Sequence, residues 1–390
     1  MNKKIIVVGS GNAGLLAALF YKKSDFDVTI ITSNSHIQFG EATTFVLPLL
    51  LRYLDIKEEE WMDKSSATFK FSANFSDWGK IGSRFSQPFA YPGEYGYHYD
   101  IHGIMQFLEQ KCIERGVVII SGTVVDIHQR IDGSIESLTT QQNIKIEGDF
   151  YIDCTGFKSL LLGQCLKSKF ISYHKNISLN DRAVGIQKRD IIHEVNYTNH
   201  TALTNGWMWT IPLKTRTDYG YVYSSEHISD EAAEAELRTT VNDFTTPVNF
   251  IKYKPGRYEK AVIKNCIAVG LAGGFIEPLE ATGYGFICRV LYQSLKYING
   301  ELTEDAINYN ISDTYTCTKN FIDLHYYMCE RNDTPYWQYY KKFKPSKERL
   351  QQVVRLYCDS VNTPHGRMHY DYIIRGMNLL DPTLTKPWVV

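Results

Sequence analysis

A few short stretches of this 390-residue chain carry the residue types and spacing that chemistry needs. The first is Gly9-x-Gly11-x-x-Gly14, with Asn12 and Ala13 before the last glycine. Between a strand and a helix, the first glycine permits a tight turn and the second lets a pyrophosphate approach the backbone. The third lets helix and strand pack closely. Free N–H groups at the helix start then face the phosphates, aided by the helix dipole. Gly9, Gly11, Asn12, Ala13 and Gly14 are therefore expected to bind a dinucleotide. The acidic residue expected after the next strand, for the ribose hydroxyls, is missing, because the chain reads Ile30-Ile31-Thr32-Ser33. Thr32 or Ser33 offers one neutral hydrogen bond, weaker than a charge-assisted one, so a looser grip on the adenosine is expected.

The elements that must position these residues follow from local pattern. Residues 5–8 and 27–32 are β-branched runs flanking an Ala/Leu-rich helical segment at 15–21, which makes a βαβ unit of about 30 residues. Strands are expected at 123–129, 135–139, 150–154 and 262–269, and a helix at 104–112. Helical periodicity dominates from Phe286 onward. Irregular excursions are expected at 83–96 and 188–205.

Composition excludes several classes. The chain has 42 basic and 43 acidic residues, a net charge of −1 and no dense basic run, which argues against nucleic-acid binding. No apolar stretch reaches the length of a spanning helix. Glycines interrupt the apolar N-terminus, so it reads as mature protein rather than a signal peptide. Eight scattered cysteines form no CxxC pair and no zinc spacing, which fits a reducing cytoplasm with no metal site. The 27 tyrosines and 19 phenylalanines are enough both for core and for lining a pocket that takes a flat ligand.

Five motifs then converge. They are Gly40-Glu41-Ala42-Thr43, Asp153-Cys154-Thr155-Gly156-Phe157 and Gly206-Trp207-Met208-Trp209-Thr210-Ile211-Pro212. The fourth is the run from Gly270-Leu271-Ala272-Gly273-Gly274 through Phe275-Ile276-Glu277-Pro278-Leu279 to Glu280-Ala281-Thr282-Gly283. The fifth is Asp333-Thr334-Pro335-Tyr336-Trp337. In order and rough spacing, from Ile5 to about Trp337, they resemble the flavin-dependent tryptophan halogenase family. The resemblance implies a glutathione-reductase-like, Rossmann-type α/β fold with a mixed substrate sheet and a helical C-terminal part. In that division, residues 1–300 form the core, with the substrate-side sheet inserted at about 60–100 and 165–255, and residues 301–390 are helical.

The resemblance also implies function. The chain would use reduced FAD, oxygen and chloride or bromide to halogenate an indole- or phenol-like substrate. A separate reductase would supply the flavin, because no second nucleotide fingerprint appears. Ala42, Thr43, Val125, Gly156, Gly270, Leu271 and Pro278 join the glycine loop, Thr32 and Ser33 as FAD-binding positions. Backbone N–H groups of Thr282 and Gly283 would hold the halide, since fixed amide dipoles suit a small anion. Glu280 matches the family's active-site glutamate. Trp207, Trp209, Ile211 and Pro212 would wall the flavin off from substrate, although large aromatics equally serve as core.

Two departures stand out. The family's catalytic lysine falls on Asn74 in Phe69-Lys70-Phe71-Ser72-Ala73-Asn74-Phe75-Ser76-Asp77-Trp78. An amide can hydrogen-bond hypohalous acid, but it is uncharged and does not act as an amine. Lys70 would share a face with Asn74 on one continuous strand, about 13 Å away at roughly 3.3 Å per residue. The section between Trp78 and Tyr97 is also short, and the family's aromatic substrate clamp has only a faint counterpart at 368–372. A more open aromatic cleft follows, with the substrate unassigned. His98 and Asp100 read as structural, Asp100 as a helix cap. An FAD monooxygenase or oxidase with impaired halide transfer, or a non-catalytic flavin binder, stays open, as does a homodimer.

Overall fold

The computed structural model describes residues 2–33, 40–89, 93–174, 178–189 and 195–342. The chain divides into two compact units. The first comprises residues up to 67, 99–173 and 254–315; the second comprises 68–98, 174–253 and the chain from 316. The helix Glu304–Met328 begins in the first and ends in the second.

The first unit is built on a six-stranded sheet. Its order is Val262–Ile263, Cys266–Ala268, Phe150–Asp153, Lys4–Val8, Asp27–Thr32, Val118–Ser121. All neighbours are parallel except the first pair. Ile5 to Val8 are buried without alternation, as a strand covered on both faces requires. The helix Asn12–Lys23 packs behind Lys4–Val8 and buries Gly14 through Tyr21. Gly9 has φ +106°, and a Cβ on Gly14 would lie 1.9 Å from the Gly9 carbonyl oxygen. Both glycines are thus dictated by the backbone.

The second unit holds a seven-stranded sheet. It runs Val248–Lys252, Arg182–Lys188, Thr217–Tyr223, Gly206–Pro212, Tyr197–Leu203, Ser72–Ser76, Arg84–Pro88. Met208, Tyr219 and Tyr221 pack on Ala233, Leu237 and Val241 of the helix Asp230–Val241. The register places Phe75, His200, Trp207 and Trp209 on the opposite face. Trp78, His325, Tyr326 and Trp337 close that face as an aromatic core.

Three sequence expectations need correction. The run 262–269 is a hairpin, Val262–Ile263 and Cys266–Ala268, because Lys264 turns the chain with φ 53°. The excursion expected at 83–96 contains the strand Arg84–Pro88, antiparallel to Ser72–Ser76. The one at 188–205 contains Tyr197–Leu203, whose buried Thr198 and His200 disguise an alternating strand as polar loop. The strands expected at 123–129, 135–139 and 150–154 form as Val124–Gln129, Ile135–Thr140 and Phe150–Asp153, and the helix expected at 104–112 as Ile101–Glu114.

A Cβ on Gly11 would meet nothing within 4 Å. Gly14→Ala should therefore cost about 1–3 kcal/mol in chemical denaturation through overpacking. Gly11→Ala should cost less than about 1 kcal/mol, the scale of a changed N-cap. Equal losses for the two variants would contradict this reading of the turn.

Candidate functional site

Register brings the first unit's turns to one edge. Val8 pairs with Ile31 and Asp153, Asp153 with Ala268, and Thr32 with Ser121. The loops leaving these strands therefore start side by side at their carboxyl ends, where open parallel sheets bind ligands. They carry Gly9 to Gly14, Thr32 and Ser33, Gly156, and Gly270 with Leu271. Thr32 is half-buried and Ser33 exposed. Asp153, fully buried, organises one of these loops. Its Oδ1 accepts from Thr155 N and Oγ1, and its Oδ2 from the Leu161 and Leu162 amides at 2.8 and 2.9 Å. Burial still holds its carboxyl above the ordinary aspartate range, against those hydrogen bonds.

This edge fits a dinucleotide. The space over Gly11 is open. The first-turn amides of Asn12–Lys23 have no partner within the helix, as at any helix start. Asn12 Oδ1 is buried without a hydrogen bond, while its Nδ2 donates to Tyr284 Oη at 2.9 Å. An unused buried acceptor inside a glycine turn points to a ligand. Gly270, at φ +69°, approaches the helix so closely that a Cβ would lie 2.8 Å from Ala13 Cβ. Ala42 ends the strand Gly40–Ala42, and Thr43 beside it is fully buried. Val125 is 63% exposed on a separate small sheet.

The same unit contains the Pro278 to Gly283 turn. Glu280 and Ala281 have φ 68° and 52°, two successive non-glycine residues in the left-handed region. Such conformations cost about 1–3 kcal/mol each and cluster at functional sites. They deliver Thr282 and an exposed Gly283 to the start of the 16-residue helix Gly283–Ile298. Glu280 itself is half-buried.

In the second unit, Trp207 is fully buried between Trp78, His200 and Trp209. Trp209 is 8% exposed, and its ring lies over Gly220, where a Cβ would come within 1.8 Å of it. Ile211 and Pro212 are buried, and the Pro212 carbonyl accepts from Thr68 Oγ1 at 2.8 Å. Thr68 has only one proton to give, so it must accept from His98 Nδ1 at 3.1 Å. His98 Nε2 then accepts from Thr198 Oγ1 at 2.9 Å. Burial first, then the nearby Lys70 and His200 charges, push His98 well below its ordinary range and keep it neutral.

Lys70 and Asn74 do not lie on one continuous strand. Thr68–Lys70 pairs with Gly96–Asp100, and Ser72–Ser76 belongs to the large sheet. The chain changes sheets at Phe71, so the expected shared face is not maintained. Lys70 is 2% exposed beside His98. Asn74 is half-buried, accepts from Ser72 Oγ at 3.3 Å, and alternates to the face opposite Phe75 and His200. Asp100 caps the helix Ile101–Glu114, accepting from Gly103 N at 2.9 Å. Residues 368–372 lie outside the described residues. The contact between Asn12 and Tyr284 joins positions 272 apart, a separation that leaves no mark in local sequence pattern.

Known proteins give the context. The family model for tryptophan halogenase matches residues 4–94 and 91–373. The chain is 28% identical to 7-chloro-L-tryptophan 6-halogenase KtzR of Kutzneria sp. (strain 744), over 94% of this chain and 87% of that protein. The crystal structure of tryptophan 6-halogenase SttH from Streptomyces toxytricini superposes with a TM-score of 0.88 at 27% identity. It covers 98% of this chain and 94% of SttH. A tryptophan halogenase from Shewanella frigidimarina gives a TM-score of 0.89 at 26% identity, covering 99% of this chain and 91% of its own.

The His98 hydrogen-bond order is open to test. In ¹⁵N-labelled protein, His98 should stay neutral at pH 6 with its proton on Nδ1. Because the unfolded chain binds that proton below about pH 6.5, stability should fall as pH drops through that value. A charged His98 at pH 6 would refute the assignment.

Proposed function

The chain belongs to the tryptophan halogenase family, and from that premise we propose that it uses reduced FAD, oxygen and chloride or bromide to halogenate an aromatic substrate. The observation that carries this reading lies within the first unit. The glycine turn with its unused Asn12 acceptor and the strained turn ending at Gly283 belong to the same compact body. The open backbone amides of the first suit the phosphates of FAD, its unused Asn12 oxygen suits a hydroxyl of the same ligand, and the second turn suits a monatomic anion.

Gly9, Gly11, Asn12, Ala13 and Gly14 hold the pyrophosphate through backbone N–H groups. Thr32 and Ser33 meet the adenosine ribose without a carboxylate. Ala42, Thr43, Val125, Gly156, Gly270, Leu271 and Pro278 complete the FAD-binding set. Bound reduced FAD supplies, with oxygen, the oxidising power that converts halide to hypohalous acid. The Thr282 and Gly283 amides fix the halide, and Glu280 polarises the electrophile or accepts the proton that the aromatic ring loses. Of the two tryptophans, Trp209 is the one proposed as the substrate wall, since Trp207 is fully buried in core packing.

Asn74 supplies a neutral amide where relatives are expected to carry an amine, and Lys70 is the cation nearest in sequence. The substrate is indole- or phenol-like. Reduced flavin comes from a separate NAD(P)H reductase. Asn74 also favours a second reading, an FAD monooxygenase with weakened halide transfer.

The deciding assay combines reduced FAD, oxygen, each halide and a panel of indoles and phenols, read by mass spectrometry. A halogenated product should form and increase at least tenfold in Asn74→Lys, about 1.4 kcal/mol of barrier. Hydroxylated product independent of halide would support the second reading. Gly11→Ala should fold and lose FAD binding.

A further inference from the structure

The first unit contains a polar cluster that joins Asn12 of the glycine turn to two tyrosines outside the quoted motifs. Asn12 Nδ2 donates to Tyr284 Oη at 2.9 Å. Tyr284 Oη and Tyr99 Oη share a second hydrogen bond, with the rings edge to face at 6.4 Å. Tyr99 is fully buried and Tyr284 is 4% exposed. The shared bond uses one of the two phenolic protons. The other has no acceptor among the described residues, and Asn12 Oδ1 has no donor.

Glu41 lies on the strand Gly40–Ala42, the sheet neighbour of Gly96–Asp100, which carries Tyr99, and both phenols feel its charge. Its side chain is half-buried, and among the described residues no lysine, arginine or histidine pairs with it. A phenolic donor and the Asn12 acceptor thus lie without partners among the described residues, with the Glu41 carboxyl on the strand beside Tyr99. Asn12 opens the phosphate-facing turn, and Tyr284 follows Gly283 directly. A set of this kind is a binding surface for a ligand that brings both donors and acceptors. FAD brings both, together with the negative charge of its diphosphate.

Resting on the flavin-dependent reading above, we propose that Glu41, Asn12 and the Tyr99–Tyr284 pair form a pocket that contacts bound FAD, and that Glu41 takes up a proton when FAD binds. A negative ligand beside a carboxyl that lacks a cationic partner increases the proton affinity of that carboxyl. Glu41 starts from a position where this matters, because burial already raises it to about 7. The neighbouring groups do not compete for the role. Burial keeps Tyr99 and Tyr284 well above the ordinary phenol range. Cys288, which Tyr284 also senses, is raised to about 12. All three stay protonated at neutral pH, so Glu41 is the group that changes charge.

The sign follows from linkage. The complex holds Glu41 protonated over a wider pH range than the free protein does. FAD affinity is therefore greatest below about pH 7 and weakens as pH rises, by up to tenfold per unit. Reduced flavin, which carries an additional negative charge when anionic, should enlarge the effect.

The test is calorimetric titration of the full chain with oxidised FAD from about pH 6.5 to 9, in two buffers of different ionisation enthalpy. The native chain should take up nearly one proton per FAD at about pH 8, with Kd rising above pH 7. In Glu41→Gln the uptake and the pH slope should vanish, and at pH 8 the variant should bind more tightly than the native chain. Should Glu41→Gln fail to fold, the buffer dependence of the native protein decides alone. Tyr284→Phe should keep the proton uptake and lose affinity several-fold. Native binding without proton uptake, or a slope that survives in Glu41→Gln, overturns the inference and leaves the flavin reading standing. Failure of the native chain to bind FAD at any pH overturns both.

Discussion

The parallel register around Lys4–Val8 is the constraint on which the rest depends. Pairing Val8 with both Ile31 and Asp153, and Asp153 with Ala268, ends three neighbouring connections level with the glycine turn. Backbone hydrogen bonds from Gly9 N to the Ile31 carbonyl and from Cys154 N to the Val8 carbonyl, each 2.9 Å, hold that alignment at the strand ends. Asp153 reinforces it from below, because its two oxygens gather backbone amides that would otherwise be buried without partners. The glycines then let backbone fill the space that side chains would take. The result is a rigid edge of amides, well suited to anions.

Backbone strain falls on two successive residues, Glu280 and Ala281. Two left-handed residues in succession are costly for side chains with a Cβ. The surroundings hold them there: Leu279 is fully buried, and the following helix is anchored by Phe286, Val290 and Leu291. The same geometry leaves Gly283 exposed at the helix start. A backbone shape that is expensive for the fold and open to small ligands is better explained by binding than by stability.

Local chemistry was legible in the sequence; assembled chemistry was not. The glycine turn could be read because its spacing and flanking β-branched runs lie within about 30 residues. The Asp100 cap could be read for the same reason. Tyr197–Leu203 was hidden because its inward positions include Thr198 and His200, which hydrogen bonds and ring stacking make acceptable in a core. The relation of Lys70 to Asn74 failed at Phe71, where the chain changes sheets and no residue pattern announces it. The pairing of tryptophans was visible, but the core role of Trp207 depends on Trp78 and His200 arriving from elsewhere. The cluster of Glu41, Tyr99 and Tyr284 joins three distant segments, so no local pattern marks it.

Asn74 separates the two halves of the account. The proposed anion and flavin sites both lie in the first unit, whereas the proposed loss of the amine at Asn74 bears on transfer to substrate. The central claim is therefore best tested apart from turnover. Crystals of the FAD complex soaked in bromide, with data collected at the bromine absorption edge, test it most directly. An anomalous peak against the amides of Thr282 and Gly283, with the flavin ring in place, is the expected result. A well-ordered flavin with no bromide at that turn would contradict the account.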